Sequence, residues 1–239
     1  MKHTGICKLC KKTCELKKSH IIPRLAIKLI RDENLNNRFY ELFNKQSKII
    51  QDGPKEYLLC YKCEQLLGNN YEKYFKEAIH LNRHGTKKAH DEKRLIIQNL
   101  DYKRIKLFFL SLLWRASISS KPEFENVCVG DNEEIIRKMI LNEDPGRSSK
   151  FSITAIVPLI NNRNAETWAT NFFDLKYEGL ATIYSIIIGG ILYSISAAHQ
   201  NTLFPEELLL NESGRWIMPL QDVSKIRCLW EFIQNHFNK

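Results

Sequence analysis

The chain has 239 residues, of which 44% are hydrophobic and 26% are charged, close to the average of soluble globular proteins. This composition excludes a disordered tail, a collagen-like fibre and a multispan membrane protein, and the length suits one large domain or two small ones. The net charge of +9 is unevenly distributed. Residues 1–100 carry 21 basic and 11 acidic side chains, a net of +10, whereas residues 101–239 carry 15 and 16, a net of −1. The basic excess therefore belongs to the first part of the chain.

Two C-x-x-C pairs provide four thiolates, Cys7 and Cys10 in CKLC and Cys60 and Cys63 in CYKC. Zinc takes four such ligands in a tetrahedron, and each pair brings two sulfurs to one metal from a tight turn. We predict that the four cysteines bind one structural zinc ion, the second pair opening a helix as in a treble clef. A redox pair or simply buried thiols is the alternative. The odd total of seven cysteines and the lack of an apolar stretch after Met1 predict a cytoplasmic protein without a disulfide framework.

In chain order, the first predicted elements are a short amphipathic helix over 24–31, a turn at 52–54 and a longer helix over 63–81. The apolar residues of the longer helix recur at the spacing of one buried stripe; they are Leu66, Leu67, Tyr71, Phe75 and Ile79. Residues 82–100 are polar and mixed in charge, which predicts a connector. The histidines in or beside it are expected to be solvated; they are His80, His84 and His90.

The sequence of the second half of the chain predicts two helices followed by strands. Residues 105–117 are apolar nearly all round, which indicates a buried helix too short to span a bilayer. A second helix is predicted over 131–141, with Asp131 as its cap and acidic residues in its first turn. From residue 151 onward the pattern is typical of strands, and a last helix is expected over 223–237.

The segment 179–198 is uncharged over a length that would suit a membrane span. Its sequence is nearly symmetric about Gly189-Gly190, which favours two strands joined by a tight turn with positive φ at both glycines. The sequence thus predicts an α+β protein. A zinc-stapled basic module over 1–81 and a connector over 82–100 would precede a larger α+β domain with an antiparallel sheet over 101–239. That domain could be a dimerising or partner-binding platform, or a sensor.

His20 lies in KKSHIIP, ten residues after Cys10 and between the two cysteine pairs. Over about residues 5–75 the chain resembles the HNH nucleases, the ββα-metal treble-clef superfamily. The resemblance lies in the order of three motifs: C-x-x-C, then H-I-I-P, then a C-x-x-C that opens a helix. The resemblance implies that His20 closes a strand and is the general base that deprotonates the attacking water, while Mg²⁺ or Mn²⁺ stabilises the phosphate. It extends to bacterial HNH-like proteins, some near phage-defence loci. The plainer alternative is a half-buried strand histidine bonded to backbone.

The same resemblance assigns a ligand for the catalytic metal. Glu64 stands directly after the last cysteine, where the family usually has His or Asn, and its oxygens suit Mg²⁺ or Mn²⁺. Glu72, two turns further on, offers a second carboxylate. The chain departs from the family at Ser19, where Asp or His is common, and at 54–56, where no Asn occurs. The stretch from His20 to the second cysteine pair is also longer than in compact members.

Basic residues flank His20 on both sides, nine of them within residues 1–31 against the single acid Glu15. A basic face raises affinity for polyanionic nucleic acid without reading sequence, although lysine-rich surface can also serve solubility alone. The residues expected to contact phosphate are Lys11, Lys12, Lys17, Lys18, Arg24, Lys28 and Arg31.

The sequence therefore predicts a metal-dependent HNH-like endonuclease that acts on nucleic acid, with DNA favoured and no membrane partner. One alternative is a non-catalytic, zinc-stapled nucleic-acid-binding protein that has lost the metal site. Another is a regulatory or scaffold subunit whose basic module docks an acidic protein. Residues 101–239 would provide the surface for self-association or for a partner protein.

Overall fold

The structure is a computed structural model that describes residues 3–24, 53–161, 163–164, 170, 172–175, 182–198, 203–227 and 229–230. Two predicted helices lie largely outside the described residues: the helix at 24–31, with Lys28 and Arg31, and the last helix. Part of the predicted strand region before residue 182 lies outside them as well.

The described residues of the N-terminal part form a three-stranded antiparallel sheet whose strands follow chain order. They are β1 (Thr4–Ile6), β2 (Thr13–His20) and β3 (Lys55–Cys60). His20 is the last residue of β2 and pairs with Lys55. A bulge between Lys17 and Lys18 shifts the register, so that Leu16 and Ser19 are both buried although they are three residues apart.

A helix, α1, covers residues 61–80 directly after β3 and starts two residues earlier than predicted. Its α-helical segments, Tyr61–Gln65 and Lys73–Phe75, alternate with wider π-helical ones, Leu66–Glu72 and Lys76–His80. The predicted apolar stripe is confirmed. Its fully buried members are Leu67, Tyr71, Phe75 and Ile79, while Leu66 is half-buried.

The predicted connector over 82–100 is wrong, because most of it is a β-hairpin. Strands β4 (Lys87–His90) and β5 (Arg94–Gln98) pair with each other, and β5 continues into the large sheet. Ile97 lies opposite Trp216 and is fully buried. All four residues of β4 are exposed, as is common for an edge strand, which explains why the segment resembles a polar linker.

Two predicted helices in the second half are confirmed. Helix α2 (Tyr102–Ser117) begins after Asp101, whose carboxylate accepts a hydrogen bond from the N–H of Arg104 at 3.0 Å. Helix α3 (Asn132–Leu141) carries acidic residues in its first turn, as the helix dipole favours. Asp131 precedes it but makes no side-chain capping bond to the described backbone, contrary to expectation.

After β4 and β5, the large sheet contains β6 (Ile153–Ile160), β7 (Arg163–Asn164), β8 (Phe173–Leu175), β9 (Ile183–Ile188), β10 (Ile191–Ser196) and β11 (Trp216–Asp222). Within the described residues it has eight strands, in the order β4-β5-β11-β6-β10-β9-β8, with β7 paired to β6. The pairings are antiparallel except that β11 runs parallel to β6. The predicted hairpin is confirmed, since Gly189 and Gly190 turn with φ of 56° and 73° between β9 and β10. Among the described helices, none has the length and apolar character of a membrane span.

One hydrophobic core joins the two parts of the chain. Buried residues of the small sheet, α1, α2, α3 and the large sheet form a single cluster. Phe75 of α1 stacks on Phe108 of α2 with ring centroids 4.1 Å apart, and Tyr193 of β10 contacts Phe75 edge-on at 5.8 Å. The N-terminal part is therefore packed against the rest of the protein over the length of α1.

His80 ends α1 and packs against the Gly189-Gly190 turn, so the expectation that it is solvated is wrong. A Cβ atom at Gly189 would lie only 2.5 Å from the imidazole Cε1. The residue keeps some exposed surface, but its Nε2 is shielded from water without a hydrogen-bond partner in the described part of the chain. Burial, followed by the charges of Lys88 and Lys76, lowers the pKa of His80 to about 4. His84 and His90 are exposed, as expected.

His80 should make the stability of the protein depend on pH. Its folded-state pKa of about 4 lies below the ordinary 6.5, so between those values only the unfolded chain takes up the proton. The free energy of unfolding should therefore fall by up to roughly 3 kcal/mol as the pH is lowered from about 7 to 4. Urea titrations across this range should show a flatter pH profile for His80→Gln than for wild type. An unchanged profile would contradict the burial of His80; His90→Gln is the exposed control.

Candidate functional site

Four cysteines meet where the small sheet joins α1. The Sγ atoms of Cys7, Cys10, Cys60 and Cys63 all lie within 4.8 Å of one another, and those of Cys10 and Cys60 are 4.0 Å apart. With Zn–S bonds of about 2.3 Å, the edges of a tetrahedral site are about 3.8 Å long. The four thiols are thus positioned to bind a metal ion, in an arrangement compatible with structural zinc.

Backbone hydrogen bonds shape the turn that presents the first cysteine pair. The N–H of Lys11 donates to the carbonyl of Cys7 at 2.8 Å, and the N–H of Cys7 donates to the carbonyl of Lys12 at 2.9 Å. Lys11 takes the left-handed conformation this turn requires, with φ of 60°. The second pair is placed by the end of β3 and the first turn of α1. Two tight turns therefore bring the four thiols together.

The cluster favours a negatively charged sulfur at Cys7. The Cys63 thiol donates a hydrogen bond that lowers the pKa of Cys7 to about 4, against the raising effect of burial, and backbone N–H groups of Cys10 and Cys60 add to the lowering. The Cys60 N–H lies 3.3 Å from the Cys7 Sγ. Thiolate is the form that ligates metals. Cys14 instead donates to the carbonyl of Lys12 at 3.3 Å and is not a member of the cluster.

An arginine on α3 anchors the cysteine turn to the rest of the protein. The guanidinium of Arg137 donates to the carbonyl of Leu9, between the first two cysteines. Its other nitrogens bind both carboxylate oxygens of Glu134, each at 2.7 Å. This bidentate pair holds the guanidinium in one orientation, so the cysteine turn is fixed relative to α3.

A second arginine, Arg115 on α2, holds the end of β2. Only 2% of its side chain is exposed. One terminal nitrogen donates to the backbone carbonyl of His20 at 2.9 Å, and the other donates to Glu72 Oε1 at 2.8 Å. The structure therefore brings Glu72 and His20 together through one guanidinium, but the carboxylate is already ion-paired.

Glu64 lies in the first turns of α1, directly after the last cysteine. Its Oε1 is buried and has no hydrogen-bond partner among the described residues. A buried carboxylate oxygen without a donor or a cation carries a substantial desolvation cost. Glu64 therefore presents an acceptor that a bound cation would satisfy.

The two positions that depart from the HNH pattern have structural contacts. Ser19 is buried and donates its hydroxyl to the carbonyl of Lys17 at 3.3 Å. Glu56 accepts hydrogen bonds from Ser119 Oγ at 2.9 Å and from Ser120 N and Oγ at 3.0 and 2.8 Å. Burial acts to raise the pKa of Glu56, but these donors outweigh it and lower the pKa overall. Glu56 thus ties β3 to the segment after α2.

The predicted phosphate-binding residues are largely exposed. Lys11, Lys12, Lys18 and Arg24 are exposed, whereas Lys17 forms an ion pair with Glu15 at 2.7 Å. The two anchoring arginines, Arg115 and Arg137, are not predicted from the sequence. In the sequence, each is only a charged residue within an otherwise apolar helical stripe. This pattern does not indicate which residue the arginine binds.

No protein-family model, curated protein or solved structure matches this chain. A function must therefore be inferred from the residues themselves. They are the four clustered thiols, the strand-ending His20 and the orphaned oxygen of Glu64.

Loss of one clustered thiol should abolish metal binding. Elemental analysis of the purified protein should find about one zinc per chain, and Cys60→Ser should lose it. Cys14→Ser removes a thiol of the same small sheet that lies outside the cluster, so it should keep the metal. Retention of zinc by Cys60→Ser, or its loss from Cys14→Ser, would contradict the assigned ligand set.

Removal of the Arg115 guanidinium should destabilise the protein strongly. Arg115→Met leaves Glu72 and the His20 carbonyl without their donor, which should lower the free energy of unfolding by about 3 kcal/mol. Arg104→Met is the matched control on the same helix, because Arg104 pairs with Asp101 at the exposed surface and should contribute under about 1 kcal/mol. Equal effects of the two substitutions in urea denaturation would contradict the anchoring role.

Proposed function

We propose that this protein is a metal-dependent, HNH-like endonuclease that hydrolyses nucleic-acid phosphodiesters, with DNA as the favoured substrate. The N-terminal part would be a treble clef stapled by one structural zinc ion, His20 the general base, and Glu64 a ligand of a catalytic divalent cation. The observation that carries the proposal is the orphaned Oε1 of Glu64, on the helix that the cysteine cluster opens. It is the position at which the HNH resemblance calls for a metal ligand.

The carboxylates of α1 fit Mg²⁺ or Mn²⁺ rather than an all-protein cation cage. Arg115 engages Glu72, and a backbone carbonyl engages the Ser19 hydroxyl, whereas the buried Oε1 of Glu64 has no hydrogen-bond partner among the described residues. Mg²⁺ commonly binds one or two carboxylates and completes its shell with waters and substrate phosphates. When bound, the cation would offset charge on the phosphate and the leaving oxygen.

His20 suits the role of base because of its place in the fold. It is half-buried at the end of β2, and Arg115 holds its backbone carbonyl. Imidazole can take a proton from water near neutral pH. Arg115 would thus be a positioning residue, since it fixes the strand end that carries the ring.

A second candidate function is nucleic-acid binding without cleavage. The exposed lysines around the cysteine turn support it directly, and the ion-paired Glu72 and buried Ser19 leave few metal ligands beside His20. In this case the zinc cluster and the basic surface would keep their roles, while Glu64 would be satisfied by water.

Plasmid nicking with Mg²⁺ or Mn²⁺ tests the nuclease proposal. His20→Ala should lower the nicking rate by about 10²- to 10⁴-fold, the usual contribution of a general base. Glu64→Gln should also lose activity and should need more metal for half-maximal rate. The matched controls are His90→Ala and Glu92→Gln, which change exposed residues of the β4–β5 hairpin region and should nick like wild type.

Two results of that assay would reject parts of the proposal. If zinc-loaded wild type binds the plasmid but does not nick it with either cation, the non-catalytic function replaces the nuclease. If His20→Ala nicks at the wild-type rate, His20 is not the base.

A further inference from the structure

The small sheet exposes aromatic rings that the proposed cleavage site does not use. Tyr57 of β3 is 41% exposed and Tyr61, the first residue of α1, is 60% exposed. The ring of His3 stacks on Tyr57 with centroids 4.3 Å apart and an interplanar angle of 22°. His3 is itself exposed. These flat surfaces face solvent beside the strand that ends in His20.

Lysines lie beside the same rings. Lys18 is the register partner of Tyr57 across β2 and β3, and Lys62 follows Tyr61; both are exposed. Lys17 forms an ion pair with Glu15 at 2.7 Å, which chiefly raises its pKa, and Tyr61 adds a smaller raising effect. We refer to His3, Tyr57, Tyr61, Lys17, Lys18 and Lys62 as the aromatic–basic face.

The chemistry of this face matches one class of ligand. Unpaired bases stack on exposed aromatic rings while the adjoining phosphates bind lysines. Such stacking does not depend on the identity of the base. A duplex presents phosphates and groove edges but keeps its bases stacked inside, so it would satisfy the lysines and leave the rings unused. An acidic protein surface would do the same. A single strand uses both components of the face.

We propose that the aromatic–basic face binds a single strand of nucleic acid, with bases stacked on Tyr57 and Tyr61. The pair Lys18–Tyr57 lies two residues from the pair His20–Lys55, a distance of about 7 Å along the strands. This corresponds to roughly two stacked bases. This part of the inference rests on the proposed nuclease function: the aromatic–basic face would deliver an unpaired segment of the strand to His20.

Fluorescence anisotropy tests the binding claim without any cleavage. Labelled 12-mers of dT and of U, and a DNA duplex of equal length, are titrated with zinc-loaded protein in the absence of added Mg²⁺ or Mn²⁺. At least one of the single strands should bind more tightly than the duplex, and the two arms show which sugar is preferred. Tyr57→Ala and Tyr61→Ala should each weaken this binding about tenfold, which is about 1.4 kcal/mol.

Conservative variants separate stacking from a loss of structure. Tyr57→Phe and Tyr61→Phe keep the ring and should bind like wild type. Zinc content and thermal unfolding should be unchanged in all four variants. Tighter duplex binding, no loss in the Ala variants, or equal loss in the Phe and Ala variants would overturn the proposal.

The outcome is independent of the nuclease assay. If the protein binds single strands through the two tyrosine rings but never nicks the plasmid, the binding inference stands and the nuclease proposal is rejected. If nicking depends on His20 but binding is unchanged by substitution of either tyrosine, the nuclease proposal stands and the binding inference is rejected.

Discussion

The buried guanidinium of Arg115 is the interaction on which the arrangement of the candidate site depends. A charge that is almost fully removed from water must be compensated by close partners. Glu72 of α1 supplies the opposite charge, while the carbonyls of His20 and Ser111 accept the remaining hydrogen bonds. Because these partners belong to α1, β2 and α2, satisfying one side chain fixes three elements relative to one another. The strand end with His20 is therefore held by the helical layer.

The opposite end of the small sheet is fixed by different chemistry. The cysteine cluster joins the turn after β1 to the start of α1, and Arg137 binds the carbonyl of Leu9 within that turn. With both ends held, β2 is fixed relative to the helices, which the proposed role of His20 would require. The shared hydrophobic core continues this support, so the basic N-terminal part and the nearly neutral remainder form one packed unit.

Features set by local chemistry were predictable from the sequence. The C-x-x-C spacing predicted the cysteine cluster, and Gly189-Gly190 predicted the hairpin because few other residues accept positive φ twice in succession. Features set by distant partners were not. The exposed edge strand β4 looks like a linker because its pattern contains no buried face. His80 has charged neighbours in sequence, and its burial comes from a turn more than 100 residues away. Arg115 and Glu72 are 43 residues apart, and neither predicts the other.

The proposed nuclease function depends most on the buried oxygen of Glu64 as a metal ligand. Anomalous diffraction from crystals of the zinc-loaded protein soaked in Mn²⁺ tests it most directly. We expect a manganese peak about 2 Å from Glu64 Oε1, the distance of small divalent cations from oxygen ligands, in addition to a zinc peak among the four sulfurs. A zinc peak at the cysteines with only a water molecule, or a protein donor, on Glu64 Oε1 would contradict it.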